Sequence, residues 1–116
     1  MKNSRQDRKV VLRYADGKTV QRKLVVCDTV ASRMVGMLRE RDETVSDVYQ
    51  IVPCNGIHTL FMAFPIDAVF TDQTGRVVDC RNVPPYRFFS RSSAYMVFEG
   101  IGLLREEVLL ERVEVE

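Results

Sequence analysis

Asp67 has the setting that most demands chemistry. It sits inside an apolar run, flanked by Ile66, Ala68, Val69 and Phe70. A carboxylate placed there must be hydrogen-bonded, paired or protonated. Two readings follow: a structural anchor that accepts backbone amides or an arginine such as Arg33, or a binding or catalytic carboxylate. His58, the sole histidine, comes four residues after Cys54 in Cys54-Asn55-Gly56-Ile57-His58-Thr59. A Cys-x-x-x-His pair across a turn supplies two metal ligands, or a thiol and its base. The spacing names no further ligand and no third triad member, so a satisfied structural histidine is the plainer reading, and neither a metal nor a cofactor is expected. A third feature is Arg81-Asn82-Val83-Pro84-Pro85-Tyr86-Arg87-Phe88-Phe89-Ser90-Arg91. Its arginines Arg81, Arg87 and Arg91 and aromatics Tyr86, Phe88 and Phe89 suit stacking on single-stranded nucleic acid. On a neutral protein they suit better a loop folded over the core edge, or equally an exposed patch that docks a partner. Glycine-rich phosphate loops, Gly-x-Ser-x-Gly elbows, His-Glu-x-x-His helices and spaced acidic calcium loops are absent.

Composition narrows the choice. The chain has 116 residues with 17 Lys+Arg against 16 Asp+Glu, a net charge of +1. That length suits one domain, and so even a balance argues against a protein that coats phosphate backbones, so a nucleic-acid partner is not expected. Apolar residues are 46% of the chain, too many for disorder. No apolar run approaches the ~18 residues of a membrane helix. The polar start, Met1 to Lys9, lacks the apolar core of a secretory signal, so a cytoplasmic protein is expected. Cys27, Cys54 and Cys80 cannot all pair with one another, and buried reduced thiols are the expectation.

The elements that must position these residues are mostly strands. Residues 1–8 form a charged tail expected to be disordered. Residues 9–14 and 19–27 read as strands joined through Asp16-Gly17, a pair suited to a type I′ turn. Valines on both faces of the second strand predict that its end is covered on both sides. Val30, Met34, Met37 and Leu38 recur at helical spacing, which predicts one amphipathic helix near residues 29–40. Further strands are expected over residues 48–52, 57–61, 66–70, 76–82, 93–98 and 108–115. The turn Asp72-Gln73-Thr74-Gly75 closes a hairpin, residues 81–91 form an extended loop around Pro84-Pro85, and the alternating Arg112 to Glu116 suits an edge strand.

Several stretches resemble one family in order. Arg33-Met34-Val35-Gly36-Met37-Leu38-Arg39 is similar to the Arg-x-x-Gly-Leu-Met-x-Arg helix of the domain-of-unknown-function family 192. The run from Ile57 to Phe70, with Pro65-Ile66-Asp67, resembles its Phe-Trp-Met-x-Asn-Thr-x-Ile-Pro-Leu-Asp-Ile-x-Phe stretch, with His58 and Phe61 where the pattern has Trp and Asn. Asp72 to Val78 resembles its Asp-x-x-Gly-x-Val hairpin, and Ala94 to Gly100 its Tyr-Val-Leu-Glu strand. The resemblance spans roughly residues 20–112, gives motif status to Arg33, Gly36, Pro65, Asp67, Gly75 and Glu99, and implies a compact, mostly β domain with one helix. It implies no activity. The run Arg105-Glu106-Glu107, where the family often turns through Gly-Asp, points to an altered last hairpin.

The expected fold is therefore mainly β (α+β), a small antiparallel sandwich or partly open barrel of about eight short strands in a single domain over residues 9–116. The expected function is a non-enzymatic domain that binds a small molecule or a protein partner. Its patch is Arg81, Tyr86, Arg87, Phe88, Phe89 and Arg91. The alternative is an enzyme or metal site built from Asp67 with His58, Cys54 and Glu99, with Thr59 and Arg33 as further candidates.

Overall fold

Nine strands run through residues 8–27, 47–60 and 62–116, the residues that the computed structural model describes. They are β1 (Lys9–Tyr14), β2 (Thr19–Cys27), β3 (Val48–Ile51), β4 (Gly56–His58), β5 (Ile66–Thr71), β6 (Val77–Val83), β7 (Phe88–Ser90), β8 (Met96–Gly100) and β9 (Leu110–Val115). Seven form one sheet in the order β6-β5-β8-β3-β2-β1-β9, and β4 pairs with β7 in a separate ribbon. All pairings are antiparallel except β2 with β3. The predicted helix, with Arg33 and Gly36, and residues 1–7 of the tail fall outside the described residues, among which there is no helix. The Arg8 carbonyl accepts the Leu24 amide at 3.0 Å.

Two hairpins share one turn chemistry. In the first, the Gly17 amide donates to the Tyr14 carbonyl at 2.9 Å and Gly17 takes φ +90°. In the second, the Gly75 amide donates to the Asp72 carbonyl at 3.2 Å with Gly75 at φ +93°. Each is a three-residue loop ending in a left-handed glycine, which keeps the strand twist. The type I′ expectation at Asp16-Gly17 fails because that turn needs positive φ at both centres, and Asp16 does not have it. Instead its carboxylate accepts the Lys18 amide at 3.0 Å.

The sheet curls until its end strands meet. Arg76 bridges Arg112, and the Val113 amide donates to the Gly75 carbonyl at 2.8 Å, so the sheet is a nearly closed barrel. Val10, Leu12, Leu24, Val48, Val69, Phe98, Leu110 and Val113 fill its interior. The outer face of β3, β5 and β8 carries a second core of Tyr49, Ile51, Ile66, Ala68, Phe70 and Val97. The β4–β7 ribbon lies on that second core through Ile57 and Phe89. Burial on both sides explains β5, whose six residues are all buried. It also bears out β2, where Leu24 faces one core while Val25 and Cys27 belong to the other.

Several boundaries differ from those read from the sequence. Residues 81–91 are not one loop: 81–83 end β6, and 88–90 form β7. The strand expected over 57–61 is the short β4, which pairs 30 residues later with β7 instead of turning through Asn55-Gly56. β8 begins at Met96 and β9 at Leu110, and they do not form a last hairpin: β3, β2 and β1 lie between them. Long-range pairing of this kind leaves no local signal, since it depends on which edges meet.

Candidate functional site

Asp67 is buried inside the fold. It is 7% exposed, and every carboxylate contact is a bond to a donor: Asn82 Nδ2 to Oδ1 at 2.8 Å, and the Leu103 and Leu104 amides to Oδ2 at 2.9 and 3.2 Å. The Leu103 carbonyl in turn accepts the Tyr14 hydroxyl at 2.7 Å. Leu103, fully buried in the barrel core, is thus held at both backbone groups. Burial pushes the Tyr14 hydroxyl above its usual pKa, with Arg22 and Arg105 opposing and Asp67 adding to the rise.

Glu99 is also fully buried, but on the other face. Register sets it beside Ala68 and Tyr49 in the outer core, while Asp67 pairs with Gly100. Neighbouring residues of a strand point to opposite faces, so these two carboxyls are separated by the sheet itself. Cys54 and His58 do not meet either. The Cys54 thiol donates to the Gly56 carbonyl at 3.0 Å and lines a shallow cleft with Pro53, Asn55, Ala94 and Tyr95. His58 Nδ1 accepts the Leu60 amide at 3.4 Å, and its ring lies 5.8 Å from that of Phe88. The structure therefore brings His58 together with Phe88, and brings none of Asp67, Glu99 and Cys54 to them. Among the described residues no three His, Cys, Asp or Glu side chains converge on a common point. No disulfide joins Cys27, Cys54 and Cys80.

The arginine–aromatic segment separates into two parts. Phe89 points inward, its ring 5.4 Å from Phe70, with the Arg81 guanidinium 4.7 Å and that of Arg91 5.6 Å from its centre. Asp79 holds both arginines: Arg91 donates through two nitrogens and Arg81 lies at 3.6 Å. Burial works against ionising Asp79, but Arg91, the Cys80 amide and Arg81 outweigh it and hold its pKa below the usual range. Cys80 and Arg81 are its neighbours on β6, but Arg91, which donates through two nitrogens, comes from twelve residues further on, and nothing in the sequence marked that pairing.

The other part faces water. Phe88 is 73% and Tyr86 56% exposed, and Arg87 is exposed beside them. Thr59 fixes this corner. Its buried hydroxyl donates to the Pro84 carbonyl and accepts the Arg87 amide at 2.9 Å. Its own carbonyl accepts the Tyr86 amide at 2.8 Å, and Tyr86 is held at φ 61°. On the ribbon's outer face His58 stands opposite Phe88, and Gly56 opposite Ser90. These residues outline a largely apolar cleft of about 460 Å³. A Cβ at Gly56 would come within 3.1 Å of the Ser90 Cβ, so glycine keeps the cleft floor open.

Comparison with known proteins adds a family and a fold. The DUF192 family model, described as an uncharacterized ACR, matches residues 11–105. The UPF0127 protein TK1120 of Thermococcus kodakarensis is 26% identical over 103 residues, covering 83% of this chain and 65% of that protein. The chain thus spans about 65% of the length of the curated relative it matches. A crystal structure of a candidate transcription regulator from Sinorhizobium meliloti superposes with a TM-score of 0.74 at 16% identity, covering 93% of this chain and 92% of that one. A protein of unknown function from Novosphingobium aromaticivorans gives 0.70 at 15% identity, covering 98% of each chain. At such identities the likeness concerns the fold alone.

Proposed function

Since the chain belongs to the DUF192 family, whose description carries no activity, we propose from its own geometry that it is a non-enzymatic binding domain whose site is the outer face of the β4–β7 ribbon. One observation carries this reading. Tyr86 and Phe88 stand in water on a backbone held by Thr59, with a non-glycine residue at φ 61°. Left-handed strain of about 1–3 kcal/mol persists only where the surroundings over-determine it, and here it fixes exposed aromatics. Tyrosine, phenylalanine and arginine on a rigid support are the side chains that anchor interfaces.

The enzyme reading needs Asp67, His58, Cys54 and Glu99 within reach of one another, and their placement on different faces speaks against it. A titration of the ¹⁵N-labelled chain with small aromatic fragments tests the proposal. Shifts should cluster at Gly56, His58, Phe88 and Ser90, and Phe88→Ala should remove them while leaving the melting temperature unchanged. Shifts centred on Asp67 or Glu99, or none at the ribbon, would overturn it.

A further inference from the structure

The same ribbon exposes a backbone edge, and an inference from it rests on the binding site proposed above. The Thr59 amide donates to the Arg87 carbonyl at 2.9 Å, and the Arg91 amide to the Asn55 carbonyl at 2.8 Å. With Ile57 opposite Phe89, this phase makes those two residues the hydrogen-bonded pair of the ladder. The N–H and C=O groups of Phe88 and Ser90 therefore point away from β4. Both residues are exposed, and among the described residues β7 pairs with β4 alone.

The end strands of the barrel are treated differently. On β6 the Cys80 amide is taken by Asp79 Oδ1 at 2.8 Å, and on β9 the Val113 amide is taken by Gly75. Capping of this sort blunts an edge against strand addition. Among the described residues β7 has no such cap. An unpaired edge is complemented by an extended peptide backbone, with flanking side chains choosing the sequence. Arg87 and Arg91 flank β7 and Arg81 lies over Phe89, and among the described residues the acid paired with them is Asp79, which bonds Arg81 and Arg91, so there three positive charges meet one negative.

We propose that β7 receives an acidic, extended peptide segment as an added strand. Its backbone bonds to Phe88 and Ser90, and one of its apolar side chains lies against Phe88 over the Gly56–Ser90 floor. The probe is the capped peptide acetyl-Glu-Val-Tyr-Val-Thr-Val-Glu-amide, with two versions N-methylated at alternate residues in complementary phases, and a version with Lys for Glu. Binding to the ¹⁵N-labelled chain should slow hydrogen exchange at the Phe88 and Ser90 amides. One N-methylated phase should bind about tenfold more weakly, having lost its backbone donors. The Lys peptide should bind about threefold more weakly, and salt should narrow the gap. Phe88→Ala should weaken binding yet keep the Ser90 amide protected.

Equal binding by both N-methylated phases, with Phe88 still perturbed, would overturn strand addition and leave the aromatic site standing. Perturbation away from residues 56–58 and 86–90, or no binding at millimolar peptide, would overturn both. Protection of the same two amides by raised protein concentration alone would assign the edge to a second copy and refute the peptide assignment.

Discussion

At the scale of single residues, Asp67 works through what it accepts. Two of its three donors are main-chain amides of the segment that carries Leu103 into the barrel. Asp67→Ala would leave those amides without an acceptor in a buried place. It is expected to cost about 2–4 kcal/mol, read by urea denaturation. Asp67→Asn, which keeps one acceptor oxygen, should lose less, and a fully stable Asp67→Ala would contradict the anchor role. Cys80 shows the opposite case, a group kept neutral. Burial, then the nearby Asp79 and Asp67, push its thiol up to about 11 from 9.0. With the folded pKa raised, the neutral thiol's stabilisation is intact below about 9 and lost as pH climbs towards 11. The melting temperature should therefore fall across that window. Tyr14, also raised, contributes in the same direction, so Cys80→Ala should lessen the fall without abolishing it.

At the scale of elements, the hairpin between β5 and β6 does more than reverse the chain. Asp72 Oδ1 accepts the Thr74 and Arg76 amides at 2.9 and 3.0 Å, which shapes the turn. Gly75 then brings its backbone against β9, where an added Cβ would lie 2.2 Å from the Val113 carbonyl oxygen. Gly75→Ala combines positive-φ strain with that clash. It should destabilise by at least about 1–3 kcal/mol and loosen the β6–β9 seam. Faster amide exchange at Val113 would register the loosening, whereas Gly17→Ala, with nothing within 4 Å of its Cβ, should leave that amide unaffected. The motif status that the family resemblance gave Gly75 acquires its physical reason here.

At the scale of the molecule, one sheet serves two cores. The barrel interior draws on all seven strands, and the outer core is shared with the ribbon. β5 and β8 lie between them, so their amides should exchange last, close to the global unfolding free energy. The ribbon has two short strands and an exposed outer face, and should open earlier. Native-state hydrogen exchange checks this ranking. Ribbon amides as protected as those of Val69 and Phe98 would refute it. A ribbon that opens separately from the barrel also lets a partner act on it without disturbing the main fold.

The mainly β character, the hairpins around Gly17 and Gly75, the edge position of β9 and the two-sided burial of β2 were all legible in the sequence. They depend on neighbours a few residues apart, through alternation and the backbone freedom of glycine. The apolar run from Ile66 to Phe70 pointed to Asp67 as a buried carboxylate. Its donors could not be read, because Leu103 and Leu104 reach it from 36 and 37 residues away. Nor could the sequence show that Asp67 and Glu99 stand on opposite faces, that Cys54 and His58 turn apart, or that Phe89 goes inward while Phe88 stays in water. Those outcomes follow from strand register, and the tertiary structure sets register by bringing distant edges together.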